Sequence, residues 1–142
     1  MDREIAILLA ERDINAVMQR YCHTMDMGDE AGWVACFTDT AVFDVRNFAG
    51  ELIHREDGRG DLERYIAQYP KPPRFRRHLY TSALLDVDVE AGTATGENYW
   101  TFFVCEPGEK PGVVAFGRSS DKYVREAGGW KIAERYAIAD GV

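Results

Sequence analysis

The second half of this chain is built from four long segments of strand character, 75–89, 93–105, 112–125 and 130–138. The separators are Glu90-Ala-Gly, Pro107-Gly-Glu-Lys-Pro-Gly and Glu126-Ala-Gly-Gly, all of them turn chemistry. Long consecutive strands joined by tight turns can hardly pair other than as an antiparallel meander. That half therefore dictates a sheet, and the first half must supply what covers it. Helices followed by strands predict an α+β domain with the helices on one face of a curved sheet.

The first half meets that requirement. Over residues 3–26, Ile5, Leu8, Leu9, Ile14, Val17, Met18, Tyr21, Cys22 and Met25 recur at steps of three and four, opposite Arg12, Asp13, Gln19 and Arg20. Asp29 is placed to cap a short second helix over 30–38 with Trp33, Val34 and Phe37. Thr40 to Arg46 reads as a short strand, and Phe48 to Gly60 as a charged, glycine-bearing loop. Asp61 is expected to cap a third helix from Leu62 to Tyr69, stopped by Pro70, Pro72 and Pro73. The Arg59-Gly60-Asp61 tripeptide is better explained by that cap than as an adhesion motif.

At 142 residues the chain reads as one domain, 1–142, with no repeat or low-complexity segment. A net charge of −7 argues against nucleic acid, and the basic cluster Arg74, Arg76 and Arg77 is too short to reverse that. Cys22, Cys36 and Cys105 lack CxxC spacing and are expected as reduced thiols in a cytoplasmic protein. The N-terminus reads as neither signal peptide nor membrane span. His23, His54 and His78 form no HxH, HxxxH or HExxH pair, so no metal is expected. Without GxGxxG, Walker A or GxSxG patterns, any chemistry is expected to need no cofactor.

Two residues carry the chemical reading. Asp26 falls four residues after Cys22, so it continues the apolar stripe into the last helical turn, where the macrodipole disfavours an anion. His78 lies inside the strand-like run 75–85. Alone, His78 also fits a structural strand histidine, and Asp26 a solvent-facing acid. If they meet in one pocket, they form an acid/base pair. Alternation then turns Arg76, Tyr80 and Ser82 inward with His78, groups Asn98, Trp100 and Phe102, and sets Arg118 and Ser120 beside Val114 and Phe116.

The run Arg20-Tyr-Cys-His-Thr-Met-Asp26, then Met27 to Trp33, then Phe37 to Asp44 resembles the opening of SnoaL-like proteins of the NTF2-like superfamily. Arg77-His-Leu-Tyr and the ending from Gly117 to Arg135 are similar as well, so the resemblance spans nearly the whole chain. It implies a cone: a curved, mostly antiparallel sheet wrapped around a long N-terminal helix with two shorter helices, enclosing one pocket. Scytalone dehydratase, the bile-acid 7α-dehydratases and hexachlorocyclohexane dehydrochlorinase share an Asp–His dyad in this superfamily, and Asp26 and His78 occupy the matching positions. Tyr21 matches a helix tyrosine of the bile-acid enzymes, and Arg118 is similar in place to a pocket arginine of the dehydrochlorinase.

The resemblance implies that His78 acts as general base, Asp26 orients it, and Tyr21 or Arg118 polarises a carbonyl or protonates a departing oxygen. Phe43, Tyr65, Trp100, Phe102 and Phe116 are expected as apolar walls, with Asn98 and Ser120 as polar contacts. The function expected is a dehydratase-type lyase on a small hydrophobic cyclic or polycyclic molecule. The alternatives are a ligand-binding or dioxygenase β-subunit-like protein, or an isomerase or polyketide cyclase on the same scaffold. An apolar convex face at Tyr99, Thr101 and Phe103 predicts a homo-oligomer, dimer or trimer.

Overall fold

The computed structural model describes residues 1–72 and 75–141. Pro73 and Arg74, read above as part of a helix stop and of a basic cluster, lie outside the described residues. The elements run α1 (Arg3–Met27), α2 (Glu30–Val34), β1 (Phe37–Asn47), β2 (Leu52–Asp57), α3 (Arg59–Gln68), β3 (Phe75–Asp88), β4 (Thr93–Cys105), β5 (Gly112–Glu126) and β6 (Gly129–Asp140).

The six strands form one curved, mixed sheet in the order β2-β1-β6-β5-β4-β3. Strands β3 to β6 make the expected antiparallel meander, and β6 returns to pair parallel with β1, whose hairpin with β2 completes the far edge. The long helix α1 packs against β3 and β6, which gives the α+β arrangement expected from the element order and the cone that the resemblance implies.

The Asp2 carboxylate caps α1 by accepting from the Glu4 N–H at 2.8 Å. Gly28 ends it at φ 76°, a left-handed position that lets the Asp29 N–H reach the Thr24 carbonyl at 2.9 Å. Burial of the stripe runs from Ala10 through Ile14, Val17, Met18, Tyr21 and Cys22 to Met25, whereas Ile5 and Leu8 are exposed. The helical period is correct for all of them, but only the turns beyond Ala10 have the sheet to pack on.

Three local readings change. The segment 48–60 contains strand β2, because its charges alternate with inward residues and pair with β1, Val45 opposite His54 and Phe43 opposite Glu56. Helix α2 stops at Val34, and the chain enters β1 already at Phe37. Helix α3 begins at Arg59 behind Gly58, and Asp61, inside its first turn, accepts from the Asp57 N–H at 3.0 Å.

Strand β3 carries a bulge. Thr81 pairs with Tyr99 and Leu84 with Glu97, so Ser82 and Ala83 together face Asn98. Ser82 absorbs it at φ 56°. Arg76, His78 and Tyr80 face inward before the bulge, but after it the inward set is Ala83, Leu85 and Val87, and Ser82 is exposed.

Candidate functional site

The last turn of α1 delivers Asp26 toward β3. Its Oδ1 lies 2.5 Å from His78 Nδ1, and its Oδ2 accepts the His78 backbone N–H at 2.9 Å. One residue therefore engages both carboxylate oxygens and fixes the carboxylate plane. The two side chains are only 7% and 12% exposed, so the contact is shielded from bulk water. The last turn of α1 carries no basic residue, which leaves His78 to offset the unfavourable end of the helix dipole. With a proton on Nδ1 shared toward Asp26, the ring presents Nε2 as its lone-pair nitrogen.

The His78 ring stacks on Phe102 at 4.2 Å between centroids, 17° from parallel. The Tyr69 hydroxyl stands 3.5 Å from Nε2. His78 thus borders a cavity of about 300 Å³ on the concave side of the sheet, walled by Phe43, Tyr65, Tyr69, Tyr80, Trp100 and Phe102, among others. Gly117 gives Trp100 its seat, because a Cβ there would lie 2.8 Å from the indole and 1.9 Å from the Ile138 carbonyl oxygen. Tyr21 also lines the cavity and is 2% exposed, packed edge-on to Tyr80 with centroids 5.5 Å apart.

Behind Tyr21 and Tyr80 lies a charged cluster that spacing alone did not reveal. Arg135, fully buried, donates Nε and Nη2 to the two oxygens of Asp121 at 3.0 and 2.8 Å. Its guanidinium sits 4.4 Å from the Tyr21 ring centroid and 4.3 Å from that of Tyr80. Asn98 and Tyr123 also donate to Asp121, at 2.7 and 2.8 Å.

Four expected contacts are corrected by this arrangement. Asn98 faces inward, as its strand parity predicts, but its amide is committed to Asp121, and it does not line the cavity. Arg118, Phe116 and Ser120 lie on the outer face. Trp100 pairs directly with Gly117 and Asn98 with Ser119, so the inward positions of β5 are Gly117 and Ser119, and the even-numbered residues point away. Phe116 is 55% exposed; Arg118 faces Asp140 at 3.7 Å, and Ser120 donates to Glu97 at 2.7 Å.

Two cavity residues were masked by the loop reading or the helix end. Tyr69 follows α3, where a tyrosine ahead of Pro70 looked like a terminus. His54 lies on β2, where the alternation His54, Glu56 against Ile53, Arg55 was the available signal. His54 stacks on Tyr65 at 4.8 Å, and its Nδ1 meets Glu56 Oε2 at 2.8 Å. Among the described residues, no three His, Cys, Asp or Glu side chains converge as a metal site would require.

Burial raises the phenol of Tyr21 well above its ordinary value, and it lifts Tyr80 and Tyr69 to about 12 against the pull of Arg135 and Arg76 respectively. It raises Tyr65 and Tyr123 as well. The folded state therefore selects the neutral phenols, whereas unfolded tyrosine ionises near pH ~10. The stability they contribute is fully present below that pH and is lost as pH climbs through the folded values. An absorbance titration of tyrosinate is expected to show these phenols ionising with global unfolding above about pH 10; ionisation while circular dichroism stays native would contradict it.

The profile of the SnoaL-like domain family matches residues 6–136. No curated protein matches the sequence. Among solved structures, Rv3472(D26N), a protein of unknown function from Mycobacterium tuberculosis, is 25% identical, with a TM-score of 0.81 over 100% of this chain and 78% of that one. The β subunit of a candidate aromatic-ring-hydroxylating dioxygenase from Novosphingobium aromaticivorans is 19% identical, with a TM-score of 0.82 over 96% and 92% of the two chains. A candidate scytalone dehydratase from the same organism is 19% identical, with a TM-score of 0.78 over 96% and 87%. At 19% identity the likeness is one of fold.

Proposed function

The chain belongs to the SnoaL-like domain family, with an NTF2-like fold, and from that premise we propose that it is a cofactor-independent lyase acting on a small hydrophobic cyclic or polycyclic compound. The observation that carries the reading is the buried Asp26–His78 contact at the edge of an aromatic cavity. A histidine held by a carboxylate on one nitrogen is a base on the other, and here, among the described residues, the Tyr69 hydroxyl stands 3.5 Å from that other nitrogen.

In this reading His78 Nε2 takes a proton from a carbon next to a substrate carbonyl. The C–H electron pair becomes the new double bond, and the bond to a hydroxyl one carbon further on breaks. The departing hydroxide takes up the proton that His78 gained and leaves as water, which restores the neutral imidazole. Asp26 holds the Nδ1 proton in place and stabilises the imidazolium between those steps. Tyr21, kept neutral by burial, is assigned as the donor that polarises the carbonyl. Phe43, Tyr65, Trp100 and Phe102 supply the apolar surface that a ring compound needs.

A panel of one- and two-ring β-hydroxy ketones incubated with the protein in D2O tests this. Enone formation, or deuterium uptake at the α carbon, is expected above the protein-free rate. Neither across the panel counts against the lyase reading. One observation favours a second reading, an assembly subunit: Tyr99, Val113, Val114 and Phe116 remain exposed together on the outer side of the sheet. The open cavity and the engaged Asp26 weigh against it as the sole role.

A further inference from the structure

The proton that His78 takes from carbon has to travel from Nε2 to the departing oxygen. A polar group already beside that nitrogen is the Tyr69 hydroxyl, 3.5 Å away and, like His78, on the cavity wall. At that distance the phenol is near Nε2 without being held by it, since a settled hydrogen bond is shorter, at about 3.2 Å or less. The hydroxyl is therefore able to turn to a ligand oxygen.

The end of α3 sets this residue. Tyr69 follows Gln68 in an extended conformation, φ −66° and ψ 135°, and its N–H still reaches the Ile66 carbonyl at 3.2 Å. Two further bonds pin the segment: Arg76 Nη1 donates to the Pro70 carbonyl at 3.0 Å, and Lys71 Nζ to the Ile66 carbonyl at 2.9 Å. Arg76 lies on the inward face of β3, two residues before His78. It is 6% exposed, and its guanidinium carbon is 5.2 Å from the Tyr69 ring centroid. Among the described residues its Nε has no hydrogen-bond partner, and no carboxylate is in ion-pair contact with it. A buried cation without a counter-ion is unfavourable in a wall that has only to be apolar. A phenol that becomes phenolate during the reaction would supply the missing charge. Burial keeps that phenol neutral at rest, lifted to about 12 against the pull of Arg76.

We propose that Tyr69 is the catalytic relay to the leaving group, with Arg76 as the positioning residue behind its ring. As the bond between carbon and the hydroxyl breaks, its electron pair stays on the oxygen, which takes the phenolic proton and leaves as water. The phenolate then takes the proton that Nε2 gained from carbon, and both side chains return to their neutral forms. No other reactant enters, and the net transfer is still from His78 to the departing oxygen. Tyr21 keeps the carbonyl, so the two phenols serve opposite ends of the eliminated unit. The inference rests on the lyase reading of the cavity and deepens it by naming the substrate class, a ring compound whose leaving group is an oxygen that has to be protonated.

The leaving group itself is the test. The fastest β-hydroxy ketone of the panel is compared with the same ketone carrying chlorine in place of the hydroxyl, because chloride departs without a proton. In Tyr69→Phe, kcat on the hydroxy ketone relative to the chloro ketone is expected to fall by about 10²-fold, the lower end of what a positioned proton donor supplies. Arg76→Met is expected to lower the same ratio and Arg76→Lys to restore part of it, whereas a merely structural Arg76 would change both rates alike. An unchanged ratio in folded Tyr69→Phe, whatever the absolute rates, overturns the relay, and a ratio unmoved by Arg76→Met removes Arg76 from it. No turnover of either ketone by the wild type overturns the lyase reading and the relay with it, so the two failures are told apart. Should Tyr69→Phe fail to fold, the wild type in D2O decides. The solvent isotope effect on kcat is expected to be larger for the hydroxy ketone than for the chloro ketone, and equal effects overturn the relay.

Discussion

His78→Ala is expected to lower kcat/KM for elimination by about 10²–10⁴-fold, the range that a positioned general base supplies, while the protein stays folded. The fold is expected to survive because half of the Asp26 anchorage is backbone: Oδ2 accepts the N–H of residue 78, at 2.9 Å, whatever its side chain. What is lost is the ring between Asp26 and Phe102 and, with it, the base. Asp26→Asn is the companion variant. Its amide oxygen can keep the backbone N–H, but its NH2 group then faces Nδ1 and imposes the opposite tautomer, with the proton on Nε2. That ring can no longer accept a proton from substrate, so a loss of similar order is expected with even less structural disturbance. Steady-state kinetics on the best substrate of the β-hydroxy ketone panel, with circular dichroism of each variant, checks both. Activity of a folded His78→Ala within threefold of wild type would sink the mechanism.

Period and turn chemistry made most of the fold legible. The four meander strands lie where the Gly- and Pro-rich separators place them, and α1 spans its apolar stripe and stops at the glycine that follows Met27. What failed was parity. A strand read from sequence has two faces but no label saying which is inside, and only pairing supplies it. Because Trp100 sits opposite Gly117, Arg118 is on the outer face, and no pattern within β5 alone could have said so. The bulge at Ser82 inverts β3 halfway along for the same reason: an added residue leaves composition untouched and reverses every side chain after it. Segment β2 was hidden by its charges, since an edge strand with polar outer positions resembles a loop. Asp26 and His78, 52 positions apart, were legible individually because each was an unusual residue at its address, an acid on an apolar stripe and a histidine in a strand. The Arg135–Asp121 pair left no such trace, because a charged residue on an alternating strand normally reads as its wet face.

That buried pair sets the largest expected effect on stability. Arg135→Met is expected to destabilise the fold by about 3–5 kcal/mol, the range for removing one partner of a buried ion pair. Asp121, itself buried, would lose its two-pronged partner and be left with the neutral donors Asn98 and Tyr123, at 2.7 and 2.8 Å. The rings of Tyr21 and Tyr80 would also lose the cation that now lies against both, at 4.4 and 4.3 Å. Methionine roughly preserves the volume of the side chain, so cavity formation adds little and the charge imbalance dominates. Adding Asp121→Asn to Arg135→Met is therefore expected to recover part of the loss, since the double variant carries no uncompensated charge. Urea unfolding of the wild type, the two single variants and the double variant gives the coupling directly. The same experiment bears on the site, because Tyr21 and Tyr80 line the cavity on one side and rest on Arg135 on the other. A folded Arg135→Met protein is thus expected to bind cavity ligands more weakly, through wall residues that have lost their backing. A loss of stability below about 1 kcal/mol would place Arg135 among the median surface ion pairs and remove the argument that it props the cavity wall.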